Sequence, residues 1–173
     1  MSINIRKAET NDASALGHIQ VTSWRSAFRN IVSDDYLNHQ VSESNQTNDW
    51  KEILADSVQV VYVAEVGDKT IGYAWAHREE DKAIEWDAEL ISMHILPEHK
   101  GQGIGRKLFV AVAEQLKERG CKSIYLWVLE DNHPSRKFYE ALGGQLADSH
   151  QINLGGKDLT EVAYGWKDIN TLF

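Results

Sequence analysis

The sequence predicts an α+β (mixed α/β) fold, a sheet with helices on its faces. Three observations carry this. Val58 to Val66 and Thr70 to His77 are strand-like runs joined by Gly67-Asp68-Lys69, which is hairpin chemistry. Gly103 to Arg119 places Ile104, Leu108, Val112 and Leu116 at a four-residue spacing, with Ala111 beside them and Glu114, Lys117 and Glu118 on the other side. Ile124 to Leu129 is a continuous apolar run of strand length and reads as a strand covered on both faces. Strands on both sides of helices, together with hairpins, specify a mixed sheet packed against helices.

Each element follows in order. Ile3 and Ile5 alternate with polar residues in a short first strand. Thr10, Asn11 and Asp12 supply helix N-cap chemistry for a segment with Leu16, Ile19, Trp24 and Phe28 near one face. Residues 42–57 are polar but carry Trp50, Ile53 and Leu54 at helical spacing, a second helical region. After the hairpin, residues 87–96 hold Leu90, Ile91, Met93 and Ile95 and close at Pro97, another strand. Gly120 suits the position just past the end of the strong helix. Pro134 sits where a first helical turn tolerates it, and a short helix runs on to Leu142 and Gly143. Two strands, Gln145–Leu154 and Thr160–Lys167, flank the turn Gly155-Gly156-Lys157. No repeat or linker interrupts residues 1–173, so one domain is expected.

Composition narrows the function. Lys and Arg number 18 against 26 Asp and Glu, a net charge of −8, which argues against a nucleic-acid partner. It leaves a cationic small substrate open. The single cysteine, Cys121, excludes an internal disulfide and any multi-cysteine metal site, and fits a cytoplasmic setting. No targeting segment or membrane-length apolar run is present, and no metal-ligand spacing occurs, so neither a membrane partner nor a metal is expected.

The segment that carries chemistry is Pro97-Glu98-His99-Lys100-Gly101-Gln102-Gly103-Ile104-Gly105-Arg106. Alternating glycines let backbone N–H groups approach a phosphate, and a helix N-terminus adds unpaired donors and the positive end of its dipole. Lys100, Arg106 and Lys107 make this stretch locally basic. A dinucleotide fingerprint fails because Arg106 stands where the third glycine belongs. A nucleotide P-loop fails because position 106 is Arg. A glycine turn that binds nothing is the plain alternative.

Lys100-Gly101-Gln102-Gly103-Ile104-Gly105 resembles the pyrophosphate loop of the GNAT superfamily of N-acetyltransferases, whose pattern is [Arg/Gln]-x-x-Gly-x-[Gly/Ala]. Glu89 to Pro97 resembles the strand before that loop. Asn132 to Gly143 resembles the family's later Asn-x-x-Ala/Ser-x-x-Phe-Tyr-x-x-x-Gly motif. Two departures stand out: Lys at position 100, and Gly at position 144 where an aromatic usually follows. The second leaves open how the following strand packs. The resemblance implies a mostly antiparallel sheet of about seven strands flanked by about four helices, with a splay between the strand before the glycine loop and the next.

It also implies acetyl-CoA as co-substrate and acetyl transfer to a primary amine on a small molecule, polyamine or peptide, by direct attack in a ternary complex. Such a reaction needs a base for the amine, donors for the oxyanion and an acid for the departing thiolate. The resemblance makes Tyr139 the candidate acid, against a plain core role beside Phe138. Cofactor contacts are implied at Met93, His94, Ile95, Lys100, Gly101, Gln102, Gly103, Ile104, Gly105, Arg106 and Asn132, the last of which also reads as a helix cap.

Glu89 is the candidate base, direct or through water, against the alternative of a surface carboxylate. Strict alternation puts residues 89, 91, 93 and 95 on one face and Ser92 and His94 on the other, with His94 either titrating near neutrality or, as a lone strand histidine, simply packed or exposed. Trp24, Phe28 and Tyr36 are candidates to line the acceptor site, or else core. The acidic stretch Glu79, Glu80, Asp81, Glu85, Asp87 and Glu89 is either a rim attracting cations or a solvated hairpin. Family members often form homodimers. The rival reading is a non-catalytic acetyl-CoA-binding sensor or regulatory module.

Overall fold

The computed structural model describes residues 2–39 and 42–173. Its elements are β1 (Ile3–Lys7), α1 (Ala13–Phe28), α2 (Asp34–His39), α3 (Glu43–Ala55), β2 (Val60–Val66), β3 (Lys69–Arg78), β4 (Ala88–Ile95), α4 (Ile104–Glu118), β5 (Ile124–Leu129), α5 (His133–Ala141), β6 (Gln145–Leu154) and β7 (Lys157–Trp166). The expected order is found, with one helix more than expected. That helix, α2, is short and starts from Ser33, whose hydroxyl accepts the Tyr36 N–H at 3.3 Å, with Asp34 and Asp35 in its first turn. Ser-Asp-Asp before an apolar pair is a start signal in its own right.

The strands form one seven-stranded sheet in the order β1-β2-β3-β4-β5-β7-β6. Every neighbouring pair is antiparallel except β4 and β5. That parallel pair is joined at a single register position, Glu89 opposite Tyr125, and then diverges. This is the expected splay. Strand β7 begins three residues earlier than the sequence suggests, because Gly155 and Gly156 both take positive φ and close a two-residue turn between Leu154 and Lys157.

Helix α4 covers one face of the sheet. Its Leu108, Phe109, Val112 and Leu116 pack on Val60, Ile71, Ala74 and Leu90. Each large apolar side chain buried fully contributes roughly 1.5–3 kcal/mol before entropy is subtracted. Helices α1 and α3 cover the other face, with Leu16, Ile19 and Trp50 on Val61, Val63 and Tyr73. A third cluster gathers Trp24, Phe28, Val32 and Leu37 against Leu129 and Leu159. It fixes the end of α1 beside the splay.

Trp166 resolves the departure at Gly144. A Cβ at Gly144 would lie 2.7 Å from the Trp166 ring. Trp166 stacks edge-on to Phe109 at 4.9 Å, and its Nε1 donates to the Leu142 carbonyl at 2.9 Å. An aromatic reaching across from β7 fills the space beside the glycine pair. Among the described residues no helix is long and apolar enough to cross a membrane.

Candidate active site

Two clefts meet where β4 and β5 part. One, of about 470 Å³, is lined by Met93, His94, Ile95, His99, Lys100, Gly101, Gly103, Ile104, Gly105, Asn132, Phe138 and Tyr139, among others. The other, of about 210 Å³, is lined by Trp24, Ile91, Ser92, Trp127, Leu129, Ile152, Leu154 and Glu161, among others, and shares Phe28, Met93, His94, Asn132, Ser135 and Tyr139 with the first.

The glycine loop forms one end of the larger cleft. Gly101 and Gly103 both have φ of +76°, a left-handed conformation that glycine adopts without strain. Gly103 occupies the N-cap of α4. Among the described residues, no backbone amide from 101 to 106 donates to a protein acceptor. Gly105 is glycine for another reason: its missing Cβ leaves room for the Phe138 ring, 3.1 Å from where that carbon would sit. Gln102 and Arg106, both expected cofactor contacts, are exposed and lie outside the cleft lining.

Strand β4 corrects the alternation reading. Ser92 lies opposite Trp75, but Leu90 lies opposite Ala76, so Ile91 is an extra residue in a bulge. Residues directly opposite share a face. His94, Ser92 and Glu89 therefore share a face with Tyr73, Trp75 and His77, while Ile95, Met93 and Leu90 face α4. Glu89 does not share a face with Met93 and Ile95 as expected; it joins Ser92 and His94 on the face that α1 and α3 cover.

Glu89 sits where β4 and β5 meet. Its Oε2 accepts the Tyr125 hydroxyl at 3.3 Å, and His77 Nε2 lies 3.7 Å away. The same hydroxyl is 3.5 Å from Glu79 Oε2. Burial pushes the Glu89 carboxyl above the ordinary glutamate range, while His77 and Tyr125 pull it back. His77, Glu79 and Glu89 bring ligand atoms within 4.8 Å of one another, the one grouping among the described residues close enough to share a metal ion. His77 and Tyr125 escaped the sequence reading because they come from other strands, and only the register unites them with Glu89.

Other candidates are placed as follows. Tyr139 is buried among Phe109, Phe138, Tyr164 and Trp166, and burial raises its pKa well above the ordinary phenol value. Its hydroxyl makes no hydrogen bond among the described residues, and the residue lines both clefts. Asn132 is both things expected of it: its side chain accepts the Ser135 N–H at 3.4 Å as the cap of α5, and it lines both clefts. His94 does not titrate near neutrality; burial and the nearby Lys100 push its pKa down to about 4. Trp24 and Phe28 line the smaller cleft. Tyr36 does not reach either cleft, because α2 lays its ring over Gly155, where a Cβ would come within 2.7 Å. Ser23 fixes α1 to the site by donating its hydroxyl to the Ile95 carbonyl at 3.1 Å.

The acidic stretch is largely internal scaffolding. Glu79 accepts the backbone N–H groups of Glu80 and Asp81, and Asp81 accepts that of Ala83. Asp87 accepts those of Lys122 and Ser123, and Glu85 pairs with Lys167. Cys121 is buried, and its thiol donates to the Asp87 carbonyl at 3.6 Å.

Comparison with known proteins identifies the family. The model of the acetyltransferase (GNAT) family matches residues 24–144. The N-acetyltransferase YuaI of Bacillus subtilis (strain 168) is 30% identical over 171 residues, covering 98% of this chain and 96% of its own. The spermidine N(1)-acetyltransferase of Thermoplasma acidophilum is 26% identical over 153 residues, covering 86% of this chain and 92% of its own. Among solved structures, the PaiA N-acetyltransferase from Thermoplasma acidophilum in complex with coenzyme A superposes with a TM-score of 0.75 at 23% identity, covering 94% of this chain and 98% of that one. The chain belongs to the acetyltransferase (GNAT) family and is an acyltransferase of the N-acetyltransferase class.

Proposed function

We propose that this protein moves the acetyl group of acetyl-CoA to a primary amine in a ternary complex. The observation that carries this is the run of unpartnered amides from 101 to 106 at the end of the larger cleft, which joins the smaller cleft at Met93, His94, Asn132 and Tyr139. The residues present fit a pyrophosphate. Left-handed glycines, free amides and a helix N-terminus form an anion-binding concavity, and Lys100 adds a cation. Strand residues 93–95 carry backbone groups on the side that β5 leaves unpaired, suited to an extended chain and to a developing oxyanion.

When bound, the thioester supplies an activated acetyl group. Tyr139 donates a proton to the departing sulfur; its raised pKa keeps the phenol protonated throughout the neutral range. Glu89 takes the proton of the incoming ammonium. Its neighbours Leu90 and Ile91 line the smaller cleft while Glu89 itself does not, so the proton passes through water. Trp24 and Phe28 wall the acceptor, which is a small amine, a polyamine or a peptide amine. The reaction takes place in the cytoplasm, where the lone, buried Cys121 needs no partner.

The test is calorimetric titration of CoA followed by thiol release from acetyl-CoA across a panel of amines, with the product identified by mass. Failure to bind CoA overturns the proposal. Binding without turnover on any amine makes the protein a sensor instead.

A further inference from the structure

Among the described residues, Glu161 is the one carboxylate that lines the smaller cleft, and no Lys or Arg lines it. The remaining wall is largely apolar and aromatic, with Trp24, Phe28, Trp127, Ile152 and Leu154. His94, the one histidine there among the described residues, is held neutral by burial and by Lys100. A single negative charge in an aromatic cavity selects for positive charge: the carboxylate supplies a charge-assisted hydrogen bond, and ring faces attract cations.

Glu161 stands outside the cofactor cleft, though near enough to Glu89 for its charge to push that carboxyl up further. It stands on β7, opposite Leu129 on β5 and His150 on β6. It does not line the cofactor cleft, whereas Tyr139 and Asn132 line both. His150 Nε2 lies 3.1 Å from Glu161 Oε2, which fixes the carboxylate by one oxygen; among the described residues the other makes no hydrogen bond. The His150 ring in turn packs on Trp127 at 4.0 Å between centroids. The carboxylate is thus built into the wall, with its side chain 24% exposed.

In the reading above the reacting amine passes its proton through water to Glu89, outside the cleft, which leaves Glu161, in the wall itself, for a different nitrogen. We propose that Glu161 holds a second cationic nitrogen of the acceptor, so that this enzyme prefers short unbranched diamines, and polyamines ending in such a unit, over monoamines. The inference rests on the amine-acetylating reading above and narrows its acceptor. The small volume of the cleft, about 210 Å³, suits a slender chain between the two nitrogens. The second charge is read by β7, not by the acidic stretch at 79–89, whose carboxylates mostly hold their own turn.

The test is a calorimetric titration of 1,4-diaminobutane and of 1-aminobutane into the full chain saturated with CoA, in the parent protein and in Glu161→Gln and Glu161→Asp. The parent should bind the diamine roughly tenfold to a hundredfold more tightly than the monoamine, the range of one charge-assisted hydrogen bond. Glu161→Gln should abolish that preference, weakening the diamine far more than the monoamine, while Glu161→Asp keeps part of it. Equal affinities in the parent, no binding of the diamine, or a preference that survives Glu161→Gln overturns the proposal. Binding needs no turnover, so the outcome is independent of the acetylation assay. A diamine preference without acetylation would sink the enzymatic reading alone, and indiscriminate acetylation would sink this one alone.

Discussion

Replacing Tyr139 by Phe removes one hydroxyl and little else. The ring's neighbours, Phe138 at 5.2 Å and Phe109, Tyr164 and Trp166 at 6.4 Å, are untouched by the change. The hydroxyl has no hydrogen-bond partner among the described residues, so no partner is orphaned. Stability should therefore stay within about 1 kcal/mol of the parent, since the large cost of such substitutions comes from stranded partners. Activity should not. General acid catalysis contributes about 10²–10⁴ in rate, so the barrier should rise by about 3–5 kcal/mol. The assay is steady-state thiol release with both substrates saturating, beside thermal melts of both proteins. The KM for acetyl-CoA should not move, because a proton donor to the leaving group acts after binding. Because the phenol's pKa is raised, it stays protonated at every pH below that value, so the parent's kcat should show no alkaline fall from this group between neutrality and the ordinary phenol range. A Tyr139→Phe enzyme with kcat within twofold of the parent, equally stable, would refute the assignment and leave Tyr139 as packing.

Three further outcomes follow from other contacts. Burial raises the Glu89 carboxyl, so the acid limb of kcat/KM should lie above the ordinary glutamate range; Tyr125→Phe removes a donor that favours the carboxylate and should move the limb higher, while Glu89→Gln should erase it, and a limb that persists in Glu89→Gln rules out this base. Gly144→Ala would place a Cβ 2.7 Å from Trp166 and 2.9 Å from the Tyr139 carbonyl, so overpacking should cost about 1–3 kcal/mol in urea unfolding, and an unchanged midpoint would contradict the packing described. Asp12 is pushed up by burial but pulled further down by Arg6, which meets it at 2.8 Å, and by the Glu9 N–H; its net depressed pKa stabilises the fold above the unfolded value near about 3.9 and is lost as pH falls through the folded one, so Asp12→Asn should cost about 1–3 kcal/mol at neutral pH and flatten the acid limb of a stability curve.

Much of the fold is legible in the sequence because its signals are local. Ile104, Leu108, Val112 and Leu116 mark α4 by spacing, and the β5 boundaries at Ile124 and Leu129 coincide with the end of an apolar run. The glycine loop declares itself because only glycine combines left-handed φ with open approach. What escapes is set by pairing between distant segments. The bulge at Ile91 leaves no mark in a run of apolar and polar residues, yet it moves Glu89 to the other face. His77, Tyr125 and Glu161 sit on three strands that only the sheet order brings toward one site. Tyr36 misled because its aromatic character suits both a binding wall and the seat over Gly155 that it takes. Helix α2 was readable through Ser33, but its brevity left no periodicity to find.

The lone pairing of Glu89 with Tyr125 gives this sheet two edges in its middle as well as two at its margins. An ordinary edge invites any passing strand. These inner edges are walled by Ala27 and Phe28 of α1 and by Pro134 and Phe138 of α5. A ligand lying there would act as a missing rung, and the fold would share its cooperativity with it. Occupancy at a hundred times the dissociation constant would then add about 2.7 kcal/mol to the whole chain's resistance to unfolding. The gain would show first as slowed amide exchange along residues 91–95 and 126–129, so that such a ligand would be a reversible structural element of the protein.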